Sequence, residues 1–155
     1  MSPVWRCPVF IAAALLAGCA SGPALRNLGV VVKDAHEELT AEIPNGTKFA
    51  VWDITHEENR AAGAEITELL REMTLALRRT RGFRLIETEE YALKALMKEL
   101  NLSTSGLVSD ADAVRIGQWL GVDMMILGRV ENRVLRVWVV HVESRERIVS
   151  VRRPI

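Results

Sequence analysis

A chain of 155 residues is long enough for one globular domain and short for two. Its 20 basic and 20 acidic residues give a net charge of zero, so the sequence lacks the basic excess that nucleic-acid-binding proteins normally show. Hydrophobic residues make up 49% of the chain, which is enough for one sizeable core. We therefore expect a single globular domain and no nucleic-acid partner.

The amino terminus has the form of a bacterial lipoprotein leader. Arg6 gives it a weakly positive start, and the apolar segment 9–16 follows. This segment is far shorter than the roughly 20 apolar residues of a membrane-spanning helix, and its form is that of a signal peptide. The sequence L-A-G-C at 16–19 then fits a lipobox, the site of diacylglyceryl transfer. We expect a signal peptide over 1–18 and lipidation of Cys19; the alternative is an ordinary signal peptide with a chance cysteine.

Lipidation would also account for the cysteine content. Cys7 leaves with the signal peptide, so the mature chain keeps no free thiol, disulfide or zinc-binding cysteine pair. Several acyl chains on Cys19, palmitate among them, would anchor the protein stably, whereas a single chain binds a membrane only marginally. Ala20 stands where an inner-membrane retention aspartate would stand, which favours the outer membrane. We expect the lipidated cysteine and a short tether over 19–27, then one domain over 28–155.

The first half of that domain predicts two helices with a strand between them. Apolar residues at helical spacing indicate a helix over 32–42, and the sequence P-N-G at 44–46 is typical of a turn. A strand over 47–54 follows, with one face made of Phe49, Val51 and Asp53 and the other of Ala50, Trp52 and Ile54. A helix over 62–79, which Gly82 should end, has a core-facing stripe of Ile66, Leu69, Leu70, Met73 and Leu77.

A second strand and a third helix come next. The strand is predicted over 83–87, and Thr88 is suited to cap the helix that follows it. The apolar stripe of this helix consists of Leu93, Leu96, Met97 and Leu100. Residues 101–108 form a polar segment, which predicts a loop.

The segment 109–130 predicts a capped helix, a glycine stop and a buried strand. Ser109 suits the N-cap position, and Asp110 and Asp112 place negative charge in the first turn, where the helix dipole favours it. Gly121 suits the position after the helix, and the apolar run 124–127 is typical of a strand covered on both faces. A glycine would let the apolar face of the helix approach a neighbour closely; that face consists of Val114, Gly117 and Leu120.

Two strands complete the chain. The strand over 133–143 is apolar on both faces, one made of Leu135, Val137 and Val139, the other of Val134, Trp138, Val140 and Val142. A turn at 144–146 leads to a last strand over 147–153, polar enough for a sheet edge. The element order α-β-α-β-α-α-β-β-β predicts an α/β (α+β) fold, a mixed β-sheet packed with helices.

The sequence shows no arrangement typical of catalysis or of metal binding. It contains no glycine-rich phosphate loop and no nucleophile or metalloprotease motif. His36, His56 and His141 are scattered over three predicted elements, whereas a metal site needs clustered ligands. Glu57 and Glu58 precede a helix, where carboxylates serve the dipole. We therefore expect a protein that is not an enzyme and that has no cofactor and no metal.

Exposed side chains are the better candidates for function. Arg78, Arg79 and Arg81 form the densest basic cluster together with Arg84, either as a patch for an anionic partner or as cations that the end of a helix favours. Trp119 falls off the apolar face of its helix, so it is a candidate interface anchor, with core packing as the alternative. A second basic group is expected at an exposed edge and comprises Arg145, Arg147, Arg152 and Arg153.

Several segments resemble one family. The sequence V-R-I-G-Q-W-L-G-V-D-M-M-I-L-G-R-V at 114–130 resembles a segment of the CsgG/LpoB-like periplasmic lipoproteins, a group that includes the curli secretion lipoprotein CsgG and the penicillin-binding-protein activator LpoB. The sequences P-N-G-T-K-F-A-V-W-D-I at 44–54 and L-L-R-E-M-T-L-A-L-R-R-T-R-G-F-R-L-I-E-T at 69–88 are similar to the strands and helix that precede it in the family. The resemblance implies an α/β domain like the anticodon-binding fold, used for protein–protein contacts in the periplasm.

Together, these observations predict a lipid-anchored outer-membrane protein whose domain faces the periplasm and binds another envelope protein. The resemblance makes a penicillin-binding protein, a peptidoglycan synthase, one candidate partner. The alternative is an oligomeric structural, secretion or flagellar accessory lipoprotein of the CsgG type, whose partner is a second copy of itself.

Overall fold

The computed structural model describes residues 23–87, 95–98 and 108–155, with side chains from residue 28 onward. The helices are α1 (Pro23–Ala41), α2 (Arg60–Ala76), α3 (Arg78–Arg81) and α4 (Asp110–Leu120). The strands are β1 (Lys48–Val51), β2 (Thr55–His56), β3 (Arg84–Leu85), β4 (Met124–Glu131), β5 (Val134–His141) and β6 (Arg147–Pro154). Residues 95–98 are helical, within the predicted third helix. The leader, Cys19, the predicted cap Thr88, the stripe residues Leu93 and Leu100, and residues 101–107 of the predicted loop lie outside the described residues.

The strands form one mixed sheet. Its order is β3-β1-β4-β5-β6, and β2 pairs with β4 beside this path. β1 runs parallel to β3 and to β4, whereas β4, β5 and β6 form an antiparallel meander. The helices pack on this sheet, so the predicted α/β (α+β) class and the element order are confirmed.

Each face of the sheet carries its own hydrophobic cluster. On the first face, α1 and α2 cover β5 residues Leu135, Val137 and Val139. On the second face, α4 and the helical residues 95–98 cover Trp138, Val140 and Val142. The predicted alternation of β5 is therefore confirmed, and β4 is buried on both sides as its apolar sequence indicates.

The predicted first strand is interrupted, and this changes which way Ile54 points. Val51 pairs with Ile126, and Thr55 pairs with Arg129. The step from Val51 to Thr55 is four residues, whereas the matching step along β4 is three residues. The extra residue is a bulge, which reverses the alternation. Ile54 consequently joins Val51 in the first cluster, and the prediction that it faces the same way as Trp52 is wrong.

Helix α2 stabilises this bulge through two small residues. The Ile54 amide donates to the Thr67 hydroxyl at 2.8 Å, and that hydroxyl donates to the Gly63 carbonyl at 2.9 Å. A Cβ on Gly63 would lie 2.5 Å from the Ile54 carbonyl oxygen. Only glycine therefore permits this approach of helix and strand. The core-facing stripe of α2 is as predicted, with Ile66 and Leu70 fully buried.

The predicted helix ends are mostly confirmed. The Ser109 side chain accepts from the Asp112 amide at 3.1 Å, and Gly121 follows α4 with a φ of 66°. Gly82 follows α3 with a φ of 67°, although a break at Leu77 divides the predicted helix 62–79 into α2 and α3. α1 begins at Pro23 instead of near residue 32, so it overlaps the tether predicted over 19–27.

Candidate protein-interaction surface

Helix ends gather at one end of the sheet. In each parallel unit a helix leads into a strand, α1 into β1, α3 into β3 and α4 into β4, so the carboxyl ends of these helices lie where the strands begin. Backbone hydrogen bonds join the connecting turns: the Gly46 amide donates to the Arg81 carbonyl at 2.8 Å, and the Asp123 amide to the Lys48 carbonyl at 2.9 Å. The end of α2 lies at the same place. Among the exposed side chains here are Leu75, Arg78, Arg79 and Trp119, which we call the helix-end surface.

Trp119 is the largest exposed apolar side chain of this surface. It lies in the last turn of α4 and is 52% exposed, while Ile116 and Gly117 of the same helix are buried. The sequence-based alternative of core packing therefore does not apply to this tryptophan. Exposed aromatic side chains are enriched at binding hot spots, and the role of Trp119 as an interface anchor stays a prediction.

On the other side of the sheet, α3 presents Arg78 and Arg79 to solvent. Leu75 precedes them at the end of α2 and is 48% exposed. The sequence analysis did not select Leu75, although a signal was present: it falls outside the core-facing stripe of its helix. Its position beside two exposed arginines gives the helix-end surface a second apolar contact.

Arg81 has a different environment from Arg78 and Arg79. Its guanidinium donates to the Thr40 and Ile43 carbonyls at the end of α1 and, at 2.9 Å, to the Asn45 side chain. The guanidinium also lies 4.6 Å from the centre of the Phe83 ring. These contacts supply donors to carbonyls at a helix end, where the Thr40 carbonyl also accepts from the Ile43 amide at 3.2 Å. The fold thus uses the Arg81 side chain, and a partner contact by Arg81 stays a prediction.

His36 is buried between α1 and α2. The Thr74 hydroxyl donates to the Leu70 carbonyl at 2.7 Å, so it accepts from the His36 Nε2–H at 3.0 Å. Burial lowers the pKa of His36 from 6.5 to about 4, because the charged imidazolium would lose its hydration. The imidazole is therefore neutral near pH 7 and serves helix packing.

The other histidines also have folding roles. His56 Nδ1 accepts from the Glu58 and Asn59 amides ahead of α2, at 3.2 and 3.0 Å. His141 Nδ1 accepts from the Ser144 amide at 3.1 Å in the last turn. Within residues 23–87, 95–98 and 108–155, no three His, Cys, Asp or Glu side chains group closely enough to hold a metal ion. In the same part of the chain, no helix is long and apolar enough to cross a membrane.

Comparison with known proteins identifies the class of this fold. The family model described as "Curli production assembly/transport component CsgG" matches residues 37–132, more than half of the chain, so the chain belongs to the CsgG family. No curated protein matches the sequence. The family resemblance of the segments at 44–54, 69–88 and 114–130 is thereby confirmed.

Solved structures of LpoB share the fold. The C-terminal domain of LpoB from Salmonella enterica is 19% identical, with 83% of this chain and 94% of that chain covered and a TM-score of 0.58. The NMR structure of Escherichia coli LpoB is 17% identical, with 99% of this chain and 82% of that chain covered and a TM-score of 0.61. At these identities the likeness establishes an LpoB-like α+β fold.

Proposed function

We propose that the protein is a lipid-anchored outer-membrane module that acts by binding another envelope protein and catalyses no reaction. Membership of the CsgG family, the LpoB-like fold and the lipobox at 16–19 support the proposal. The observation that carries it is the exposure of Trp119 at the helix-end surface, since Val114, Ile116 and Leu120, the other large apolar side chains of α4, pack in the second cluster.

The size of the Trp119 contact is sufficient for an anchor. A tryptophan side chain buries up to about 250 Å² in an interface, so covering the exposed half would remove roughly 100 Å² from water. At about 25 cal/mol per Å², this contributes about 2.5 kcal/mol to binding. Leu75 would add apolar area, and Arg78 and Arg79 would act mainly on the rate of association with an acidic partner.

The proposed anchor would hold the domain close to the membrane. Lipid on Cys19 would be followed by Ala20 and then, at Pro23, by the start of α1, so the tether is short. A partner would therefore have to approach the outer membrane from the periplasm. The likeness to LpoB makes a penicillin-binding protein the partner that we propose, with activation of peptidoglycan synthesis as the result.

The family description supports a second candidate function. CsgG-type proteins are described as assembly and transport components, which favours an oligomeric structural, secretion or flagellar accessory role. In that case the helix-end surface would bind a second copy of the chain. The identity of the molecule in contact with Trp119 separates the two functions.

In-cell photo-crosslinking tests the proposal. A photoreactive residue replaces Trp119 in the full-length chain, and mass spectrometry identifies the adducts. The matched control carries the same residue at Val30, which is 59% exposed on α1 away from the helix-end surface. A Cys19→Ala chain controls for anchoring.

We expect adducts with a peptidoglycan synthase from position 119, few from position 30, and a loss of adducts in the Cys19→Ala chain. Adducts with the protein itself alone would establish the oligomeric function instead. Equal adducts from positions 119 and 30, or none from 119, would refute a role for Trp119 in binding.

A further inference from the structure

Three arginines form a row across the antiparallel part of the sheet. Arg129 of β4 pairs in register with Arg136 of β5, and Arg136 pairs with Arg152 of β6. Directly paired residues on neighbouring strands share a face and have Cβ atoms roughly 5 Å apart. We call Arg129, Arg136 and Arg152 the arginine row. Like charges placed directly opposite each other destabilise a sheet, so the row needs a compensating interaction.

The described residues supply little of that compensation. Arg129 pairs with Glu131, with 3.2 Å between Nη1 and Oε1. Among the described side chains, no carboxylate lies within ion-pair distance of Arg136 or Arg152. The Nε atoms of Arg129 and Arg136 are buried and have no hydrogen-bond partner there. A buried donor without a partner costs stability unless water or a ligand completes it.

The row borders an open groove. Arg129, Arg136 and Arg152 line an open cavity of about 400 Å³, together with Trp138 and Ser150. This volume is in the range of small-molecule sites. The exposed Ser150, the cross-strand partner of Trp138, places a hydroxyl beside the row.

Asp110 is the acid among the residues that line the groove, and its charge is already paired. Asp110, at the start of α4, accepts from Arg147 Nη2 at 2.7 Å and from Arg147 Nε at 3.1 Å. It also accepts from Trp138 Nε1 at 2.9 Å, and the Arg147 guanidinium lies 4.7 Å from the centre of the Trp138 ring. These contacts lock Asp110 and Arg147 together. Asp110 is therefore not a free counter-ion for Arg136 and Arg152.

We propose that the arginine row binds a small, multiply charged oxyanion, a ligand with two or more phosphate or carboxylate groups. Guanidinium groups bind both kinds of oxyanion through paired, charge-assisted hydrogen bonds. The three arginines lie on three different strands, so their guanidinium groups are separated. A ligand with several anionic groups therefore fits the row better than a ligand with one anionic group. This site is separate from the helix-end surface, and it does not depend on the identity of the protein partner.

Calorimetric titration tests this site on the full-length chain in a non-ionic detergent at low salt. The probes are inorganic phosphate, pyrophosphate and citrate, with an acidic peptide as a further probe. Arg136→Gln and Arg152→Gln each remove one charge from the row; Arg152 is exposed, so its replacement leaves folding intact. The matched control is Arg84→Gln, which removes one exposed charge from β3 at the opposite edge of the same sheet. Circular dichroism checks the fold of every variant.

We expect pyrophosphate or citrate to bind, and the one that binds more tightly to identify phosphate or carboxylate as the preferred group. Each row variant should weaken this binding about tenfold or more, because a hydrogen bond to a charged group is among the stronger ones. Arg84→Gln should bind as the original chain does. The proposal is overturned if none of the small anions binds, if Arg84→Gln weakens binding as much as Arg152→Gln, or if the acidic peptide alone binds.

Discussion

Replacing Gly117 by alanine tests how closely α4 is packed on the sheet. It thereby tests the packing that determines the position of Trp119. A Cβ at this position would lie 2.5 Å from Val142 Cγ2 and 3.1 Å from Met125 Cγ. Both contacts are buried in the second cluster, where neighbours have little room to move. The helix must therefore lift away from β4 and β5, or the valine must leave its rotamer.

The size of the effect follows from two opposing terms. Alanine is better than glycine inside a helix by about 0.8–1 kcal/mol. Overpacking a core typically costs about 1–3 kcal/mol. We therefore expect a net destabilisation of about 0–2 kcal/mol for Gly117→Ala.

Gly29→Ala is the matched control. Gly29 also lies in a helix, α1, and a Cβ there would meet nothing within 4 Å. This variant should gain stability by up to about 1 kcal/mol, because alanine favours the helix more than glycine does and its Cβ meets no neighbouring atom. Urea unfolding of both variants, followed by circular dichroism, gives the difference. If Gly117→Ala is as stable as Gly29→Ala, the close approach of α4 to the sheet is refuted.

Two further predictions concern buried contacts. Because the folded-state pKa of His36 is lowered to about 4, the unfolded chain takes up a proton first as pH falls below 6.5, and stability is lost from there down to about pH 4. Urea unfolding should show about 2 kcal/mol less stability at about pH 5 than at about pH 7.5, and a His36→Gln chain that loses as much would contradict this. Arg81→Met should destabilise the fold by about 1–3 kcal/mol in thermal unfolding, because the Thr40 and Ile43 carbonyls lose the guanidinium that donates to them. Arg79→Met, at an exposed position, should change stability by less than about 0.5 kcal/mol; equal losses in the two variants would refute the structural role of Arg81.

Local patterns in the sequence predicted the elements that depend on neighbouring residues. Ser109 and Gly121 mark the ends of α4 by the chemistry of capping and of positive φ, and both positions are confirmed. The alternation in β5 likewise assigned its side chains to the correct faces. Ile54 was assigned wrongly because a bulge depends on the partner strand and on α2, which the local alternation does not contain.

Contacts between distant residues had no such signal. Arg129, Arg136 and Arg152 are separated by unequal intervals along the chain, and only the register of β4, β5 and β6 places them in one row. The same holds for Asp110. Its position at the start of a helix accounts for its charge in the sequence, but the structure also places Arg147 and Trp138 in contact with it. The basic cluster at 78–81 shows the limit most clearly. Its members are alike in sequence, but tertiary contacts use Arg81 and leave Arg78 and Arg79 exposed.

The position of Trp119 is determined by residues on both sides of it in sequence. Before it, Gly117 permits the contact with Met125 and Val142 that seats α4 on the sheet. After it, the amides of Gly121 and Val122 donate to the Gln118 and Gly117 carbonyls at 3.2 and 3.1 Å and end the helix. The backbone that carries the indole is thus held before any partner arrives. Binding therefore does not have to order this backbone, so less conformational entropy would be lost when a partner covers Trp119.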